Sequence, residues 1–316
     1  ACNVMGTAST MTSLFEALGM MLPGVSSLGA DDARRLAAAE ATGRRIVEMV
    51  HEDLRISKIF TPAAFDNAIR TLLALGGSTN AVLHLIAMAG RRNIPLPLSR
   101  FDELARDTPF LVNCRPSGEY LMDAFHAAGG VPAVLAELGE LLNRDCLTVT
   151  GHTLGENIAA ARSHDRNVIK TVAEPLSADA ALAVVSGNLA PHGAVIKTSA
   201  ASPQLLKHRG RAIVFENYED MLARVNDPDL PVDAQSVLVL RNAGPRGVPG
   251  FPEWGMIPVP QKLLEQGISD VVRISDSRMS GTSYGTIVLH IAPEAAAGGP
   301  LAAVRDGDEI TLDVEQ

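Results

Sequence analysis

A change of texture near residue 145 constrains this chain more than any other feature. Before it, apolar residues recur at helical spacing; after it, short β-branched runs alternate with turn residues. In ASTMTSLFEALGMMLPG, Leu14, Phe15 and Leu18 share one helical face, with Gly19 and Pro23 near the end, where helix stops belong. DDARRLAAAEATGRRIVEMVHEDL predicts a second, longer helix, and residues 61–91 predict two more around Gly76-Gly77-Ser78-Thr79-Asn80. PSGEYLMDAFHAAGGVPAVLAEL continues the rhythm of helix, glycine, proline, helix. From Cys146 onward, CLTVT, NVIKTV, LAVVS, AVIKTS, RAIVF, SVLVLR, VVRIS and GTIVLHIA predict strands, and the closing DEITLDVEQ reads as another. Only NYEDMLARV and PQKLLEQG call for helices late in the chain. The expected fold is a helix-rich α/β domain over residues 1–176, a linker over 177–186 just after Pro175, and an all-β sandwich or barrel over 187–316.

Composition narrows the function classes. With 316 residues, the chain can bury a core without disulfide staples. A formal net charge of −9 argues against a general electrostatic grip on nucleic acid or an anionic membrane. No signal peptide and no 18-residue apolar run is present, so no membrane partner is expected. Three widely spaced cysteines make neither a disulfide framework nor a local zinc pair, which points to a reduced, cytoplasmic location. The chain opens on Ala1-Cys2-Asn3 without an initiator Met and closes on a strand, so the expectation is a piece of a longer protein.

Some segments hold more Gly, Ser, Thr and Asn than a core needs. They are ACNVMGTAST, GGSTN (76–80), GNLAPHGAVIK (187–197), GPRGVPGFPEWG (244–255) and SDSRMSGTSYGT (275–286). Cys2 sits just before a helix start, where a thiolate gains from exposed N–H groups; it can equally be an ordinary buried Cys. Ser280 lies in a long loop of small hydroxyl residues between two apolar strands. It can act as nucleophile or base, or merely bond backbone and cap a turn. Glu253, between Pro252 and Trp254, can offer oxygen to a hard cation or remain a solvated loop acid. His192 lies in a glycine-rich loop and can touch a ligand, whereas His84 and His290 fall inside apolar runs and read as core residues.

Six motifs, in this order, carry a family resemblance: CNVMGTASTMTSLFEALGMMLPG, GGSTNAVLHLIAMA, PSGEYLMDAFHAAGGVPAVL, GNLAPHGAVIK, GPRGVPGFPE and ISDSRMSGTSYG. Together they closely resemble the dihydroxy-acid dehydratase / phosphogluconate dehydratase family, which includes the sugar-acid dehydratases. The resemblance spans the chain and matches the later part of the family protein. It implies the end of an iron–sulfur α/β domain followed by a β-barrel of the swivelling kind, with the active site between them. It also implies a homodimer or dimer of dimers.

The activity implied is loss of water from a 2,3-dihydroxy acid or sugar acid to give a 2-keto-3-deoxy acid. The cofactors implied are an Fe–S cluster, 2Fe–2S in preference to 4Fe–4S, as Lewis acid on the C3 hydroxyl, and Mg²⁺ on the substrate carboxylate. Carried onto this sequence, Cys2 matches a cluster cysteine, Ser280 the base that takes the C2 proton, Glu253 a Mg²⁺ ligand and Thr282 a hydroxyl that contacts base or substrate. Ser78, Thr79, Asn80 and His192 are the substrate candidates, His192 standing where many relatives carry an acid. Cys114 and Cys146 fall outside the family's cysteine motifs and read as ordinary residues. GFPEWGMIPVPQKLL resembles the sugar-acid branch, so a pentonate is the expected substrate. The alternatives are 2,3-dihydroxy-3-methylbutanoate and, were the chain complete as given, a relative that binds small acids without chemistry.

Overall fold

The computed structural model describes residues 3–253 and 256–315. The chain divides into two compact units, Ala1–Ala181 and Leu182–Gln316. The division falls inside the stretch 177–186 expected as a linker. That stretch is structured: Ser177 bridges to Phe110 in the first unit, and a strand begins at Ala183 in the second.

The first unit is built from helices: α1 (Thr7–Ala17), α2 (Arg34–His51), α3 (Ile56–Ile59), α4 (Pro62–Leu75), α5 (Asn80–Arg91), α6 (Ser99–Ala105), α7 (Met122–Ala127), α8 (Gly130–Leu138) and α9 (Leu154–Ile158). Helix α4 shows why the sequence folds this way. Thr61 accepts the Ala64 N–H at 3.2 Å, Pro62 follows at the first helical position, and Gly76 ends the helix in the left-handed region at φ 61°. Its Phe65, Ile69 and Leu72 are fully buried. A second apolar cluster gathers Phe125, Val131, Leu135, Val168 and Ile169.

Two expected strands in this unit are corrected. CLTVT and NVIKTV form only isolated bridges, Leu147 with Thr153 and Val112 with Ile169. Val168 and Ile169 are buried among helices, so their apolar character is satisfied without a ladder. Among the described residues the unit is helical rather than α/β.

The second unit holds β1 (Ala183–Val185), β2 (Ala194–Ile196), β3 (Lys207–Phe215), β4 (Val237–Leu240), β5 (Val272–Ser275), β6 (Ile287–Leu289) and β7 (Glu309–Asp313) in one sheet of order β1-β2-β6-β5-β4-β3-β7. Pairs β3–β4, β4–β5 and β5–β6 are parallel; the outer pairs β1–β2, β2–β6 and β3–β7 are antiparallel. The sheet curls, because its two edges line one cavity of about 480 Å³, Val185 on one side and Ile310–Asp313 on the other. Ile196, Val239, Ile274 and Val288 fill the inside of the curl.

The unit is not purely β. Parallel neighbours need a crossover, and α10 (Tyr218–Arg224) and α11 (Gln261–Glu265) lie in the connections from β3 to β4 and from β4 to β5. Met221 and Leu263 pack from these helices against Leu238 and Leu240 on the outer face of the sheet. The third parallel connection, from β5 to β6, contains no helix. Residues 276–286 make it, and they include Ser280.

No helix of the described residues is long and apolar enough to cross a membrane. Gly210 in β3 has no room for a side chain, since an added Cβ would lie 1.8 Å from the Gln235 carbonyl oxygen. Gly210→Ala is expected to cost about 1–3 kcal/mol, read as a lowered urea midpoint. An unchanged midpoint would mean that the Gln235 strand entry yields freely.

Candidate functional site

The β5–β6 crossover is fixed at both ends by buried polar side chains. At its start, the Asp276 carboxylate accepts the Ala243 N–H at 3.0 Å and the Ala295 N–H at 2.8 Å. Burial pushes its carboxyl above the ordinary range despite those bonds. At its end, Asp270 accepts the Thr286 N–H at 2.9 Å, the Thr286 hydroxyl at 2.8 Å and the Ser202 hydroxyl at 2.8 Å.

Arg273, 5% exposed, completes this clamp. It donates to Asp270 at 2.9 Å, to the Tyr284 carbonyl at 3.2 Å and to the Ile257 carbonyl at 2.9 Å. One guanidinium therefore ties the serine crossover to the loop before α11, the loop that carries Glu253. Gly285 makes the close approach possible: an added Cβ would stand 1.9 Å from Arg273 Nη2, and its φ is 106°.

A second link joins the two loops at mid-length. Arg278 Nε donates to the Phe251 carbonyl at 2.5 Å, its guanidinium lies 5.8 Å from the Phe251 ring centre, and Nη1 stands 3.4 Å from Glu253 Oε1. Two residues on, the Ser280 and Thr282 hydroxyls are 2.9 Å apart, and the Thr282 N–H donates to Ser280 Oγ at 3.3 Å. Ser280 is half-buried and Thr282 exposed. The structure thus brings Ser280, Thr282 and Glu253 onto adjoining loops. His192 is also in this unit and exposed; its N–H donates to the Ala292 carbonyl at 2.9 Å.

The other substrate candidates lie in the first unit and are buried. The Ser78 N–H donates to Thr10 Oγ1 at 3.0 Å, the Ser78 and Thr7 hydroxyls are 3.0 Å apart, and Asn80 Nδ2 donates to Thr7 Oγ1 at 3.1 Å. Gly77 lets α1 approach this turn, its added Cβ falling 2.7 Å from Thr10 Cγ2. Thr79 is 5% exposed. This polar turn therefore seats α1, the helix that begins five residues after Cys2. Cys2 itself lies outside the described residues.

Among the described residues no three His, Cys, Asp or Glu side chains gather as a metal site. Cys114 is a core residue whose thiol burial pushes up to about 12, and burial raises that of Cys146 as well. Neither suits a thiolate ligand. Glu253 offers a carboxylate on an exposed loop, one ligand of a hard-cation site and not a complete one.

Residues 1–157 match the model of the dihydroxy-acid/6-phosphogluconate dehydratase N-terminal domain, and residues 167–316 that of the C-terminal domain. The chain belongs to the dihydroxy-acid/6-phosphogluconate dehydratase family. It is 57% identical over 303 residues to an L-arabonate dehydratase of Azospirillum brasilense, covering 95% of this chain and 52% of that protein. It is 53% identical over 315 residues to an L-arabinonate dehydratase of Rhizobium leguminosarum bv. trifolii, covering 99% and 54%. A dihydroxy-acid dehydratase of Ignicoccus hospitalis is 46% identical over 319 residues, covering 100% and 57%. The chain thus spans about half the length of the curated relatives it matches.

The clamp residues Asp270, Arg273 and Arg278 were not among the expected site residues. Their one sequence signal is a charge within or beside an apolar run, as in VVRIS. Arg273→Met leaves Asp270 buried without its cation, which is expected to cost about 3–5 kcal/mol. It should also speed hydrogen exchange of the Thr286 amide before global unfolding. Equal exchange in both proteins would mean that the crossover holds without the clamp. At pH 8, iodoacetamide is expected to reach Cys146 well before Cys114, peptide mapping showing Cys114 labelled only on unfolding.

Proposed function

We propose that this chain is the later part of a sugar-acid dehydratase, which removes water from an aldonate, a pentonate such as arabinonate, to give a 2-keto-3-deoxy acid. The observation that carries this reading is the Ser280–Thr282 hydroxyl pair, held on a crossover beside the Glu253 loop, in a chain whose relatives include arabinonate dehydratases. The second unit then serves as the swivelling-type domain.

Ser280 Oγ, as the alkoxide, takes the C2 proton. The electron pair left at C2 forms the C2–C3 double bond as the C3–O bond breaks; the departing hydroxide takes the proton held by Ser280, leaves as water and restores the alkoxide. The enol then tautomerises to the keto acid. Thr282 suits a supporting role, because its hydroxyl and its N–H both lie within bonding distance of Ser280 Oγ. Arg278 holds the Phe251 carbonyl and faces Glu253, which keeps the two loops in register.

Glu253 is proposed as one Mg²⁺ ligand and Cys2 as one ligand of a 2Fe–2S cluster, both sets completed elsewhere in the whole protein. Carboxylate oxygen and thiolate are the donors these groups favour. When bound, they supply Lewis acidity at the carboxylate and at the leaving hydroxyl.

The test uses the full protein and follows 2-keto acid formation. Arabinonate is expected to exceed 2,3-dihydroxy-3-methylbutanoate in kcat/KM by about tenfold or more. The reverse preference would support the branched-chain biosynthetic reading, the runner-up. Ser280→Ala is expected to lower kcat by a factor on the order of 10³ with the fold intact. Retained turnover in that variant would remove Ser280 from the role of base.

A further inference from the structure

Among the described residues, Lys197 and Arg273 are buried cations on the outer face of the sheet, and only Arg273 is paired. Ala194 and Ile196 of β2 point into the curl. Lys197 follows in extended backbone, φ −90° and ψ 91°, so strand alternation turns its side chain to the opposite face. Arg273 lies on that same face, since its neighbours Val272 and Ile274 point inward. Ile196 pairs with Val288 and Arg273 with Ile287, which sets Lys197 and Arg273 on either side of Ile287. Two strand spacings separate them, about 10 Å.

Arg273 is neutralised by Asp270. Lys197 is 7% exposed, and among the described residues its ammonium has no hydrogen-bond partner and no ion pair. Burial alone pushes it down to about 7. Arg278 of the crossover also has its carboxylate in Glu253.

Lys197 adjoins the crossover that carries Ser280. The Gly285 N–H donates to the Ala200 carbonyl at 2.7 Å, and the Ser202 N–H to Thr286 Oγ1 at 3.1 Å, so the segment just after Lys197 is stitched to the end of that crossover. On the crossover itself, Ser277 and Ser283 also keep buried hydroxyls without a partner among the described residues. A buried, unpaired ammonium works against folding, and an apolar side chain of the same length would not. Its charge is uncompensated in a poorly polarisable surrounding, so it acts at a distance on any negative oxygen formed nearby.

We propose that Lys197 is the counter-charge for an anionic oxygen at the Ser280 crossover, acting on the site through its charge and not by contact. This rests on the dehydratase reading for the identity of that oxygen, which is either the carboxylate of the hydroxy acid or the alkoxide of Ser280. Both are negative oxygens gathered at one crossover, and Lys197 favours either by the same physics.

The experiment compares the full wild-type protein with Lys197→Met and Lys197→Arg. Lys197→Met is expected to melt at or above the wild-type temperature, because it removes an uncompensated charge and keeps the length of the chain. Action on the carboxylate appears as arabinonate binding weakened by about tenfold or more, with Lys197→Arg restoring most of it. Action on the serine appears as unchanged binding, a kcat lowered by a similar factor, and an acid limb of the rate profile moved up by about one pH unit. The idea fails if binding, kcat and the pH profile all stay within twofold of wild type. It also fails if Lys197→Met loses activity and melting temperature together, the mark of a structural lysine. If the wild type forms no keto acid from any hydroxy acid, the dehydratase reading fails, while the binding and melting arms still decide the role of Lys197.

Discussion

The second unit is governed by one constraint: β5 and β6 run parallel, so the chain between them must travel back across the sheet. Two other parallel connections contain helices, whose backbone bonds are satisfied internally. Residues 276–286 have no helix and so depend on side chains for anchorage. Asp276 secures the start, Asp270 and Arg273 the end, and Arg278 the middle. Because the anchors lie on either side of Ser280, the hydroxyl is held in place without being drawn into a ladder. A crossover without a helix leaves the Ser280 hydroxyl outside any backbone ladder, and the buried Asp270–Arg273 pair fixes its end.

The strands of this unit were legible because β-branched runs between turn residues have a period the sheet can use. Their order was not. AVIKTS, VVRIS and GTIVLHIA look alike as runs, and nothing in them states that β5 is parallel to β6 while β2 is antiparallel to it. The helices NYEDMLARV and PQKLLEQG were legible as helices, but not as crossovers between parallel strands. The same limit produced the two excess strands in the first unit. Val168 and Ile169 have strand-like composition, yet burial among helices satisfies them, and burial is what that composition reports.

The polar segments divide in a similar way. Both GGSTN and SDSRMSGTSYGT were conspicuous as clusters of small hydroxyl residues. In the first, Ser78 and Asn80 reach Thr7, 71 and 73 residues away, and serve to seat a helix. In the second, Ser280 bonds Thr282 two residues along and stays half open. Composition cannot separate these cases, because the distinguishing partner is remote in sequence. The charged residues were harder still. Lys197 and Arg273 each interrupt an apolar run, but pairing, which decides whether a buried charge stabilises or costs, exists only once the sheet is formed.

That difference in pairing separates structural from functional charge in this unit. Arg273 meets a carboxylate and two carbonyls, so its charge is compensated within the fold. Among the described residues Lys197 meets none, although it is similarly buried and two strands away. A fold selected for stability alone has no reason to keep the second cation, since an apolar side chain would fill the same space at lower cost. The proposed compensating charge is a negative oxygen that exists only in the working site, the carboxylate of a bound acid or the alkoxide of Ser280. A reaction whose substrate is a carboxylate and whose base is an alkoxide, as proposed for this site, supplies such an oxygen.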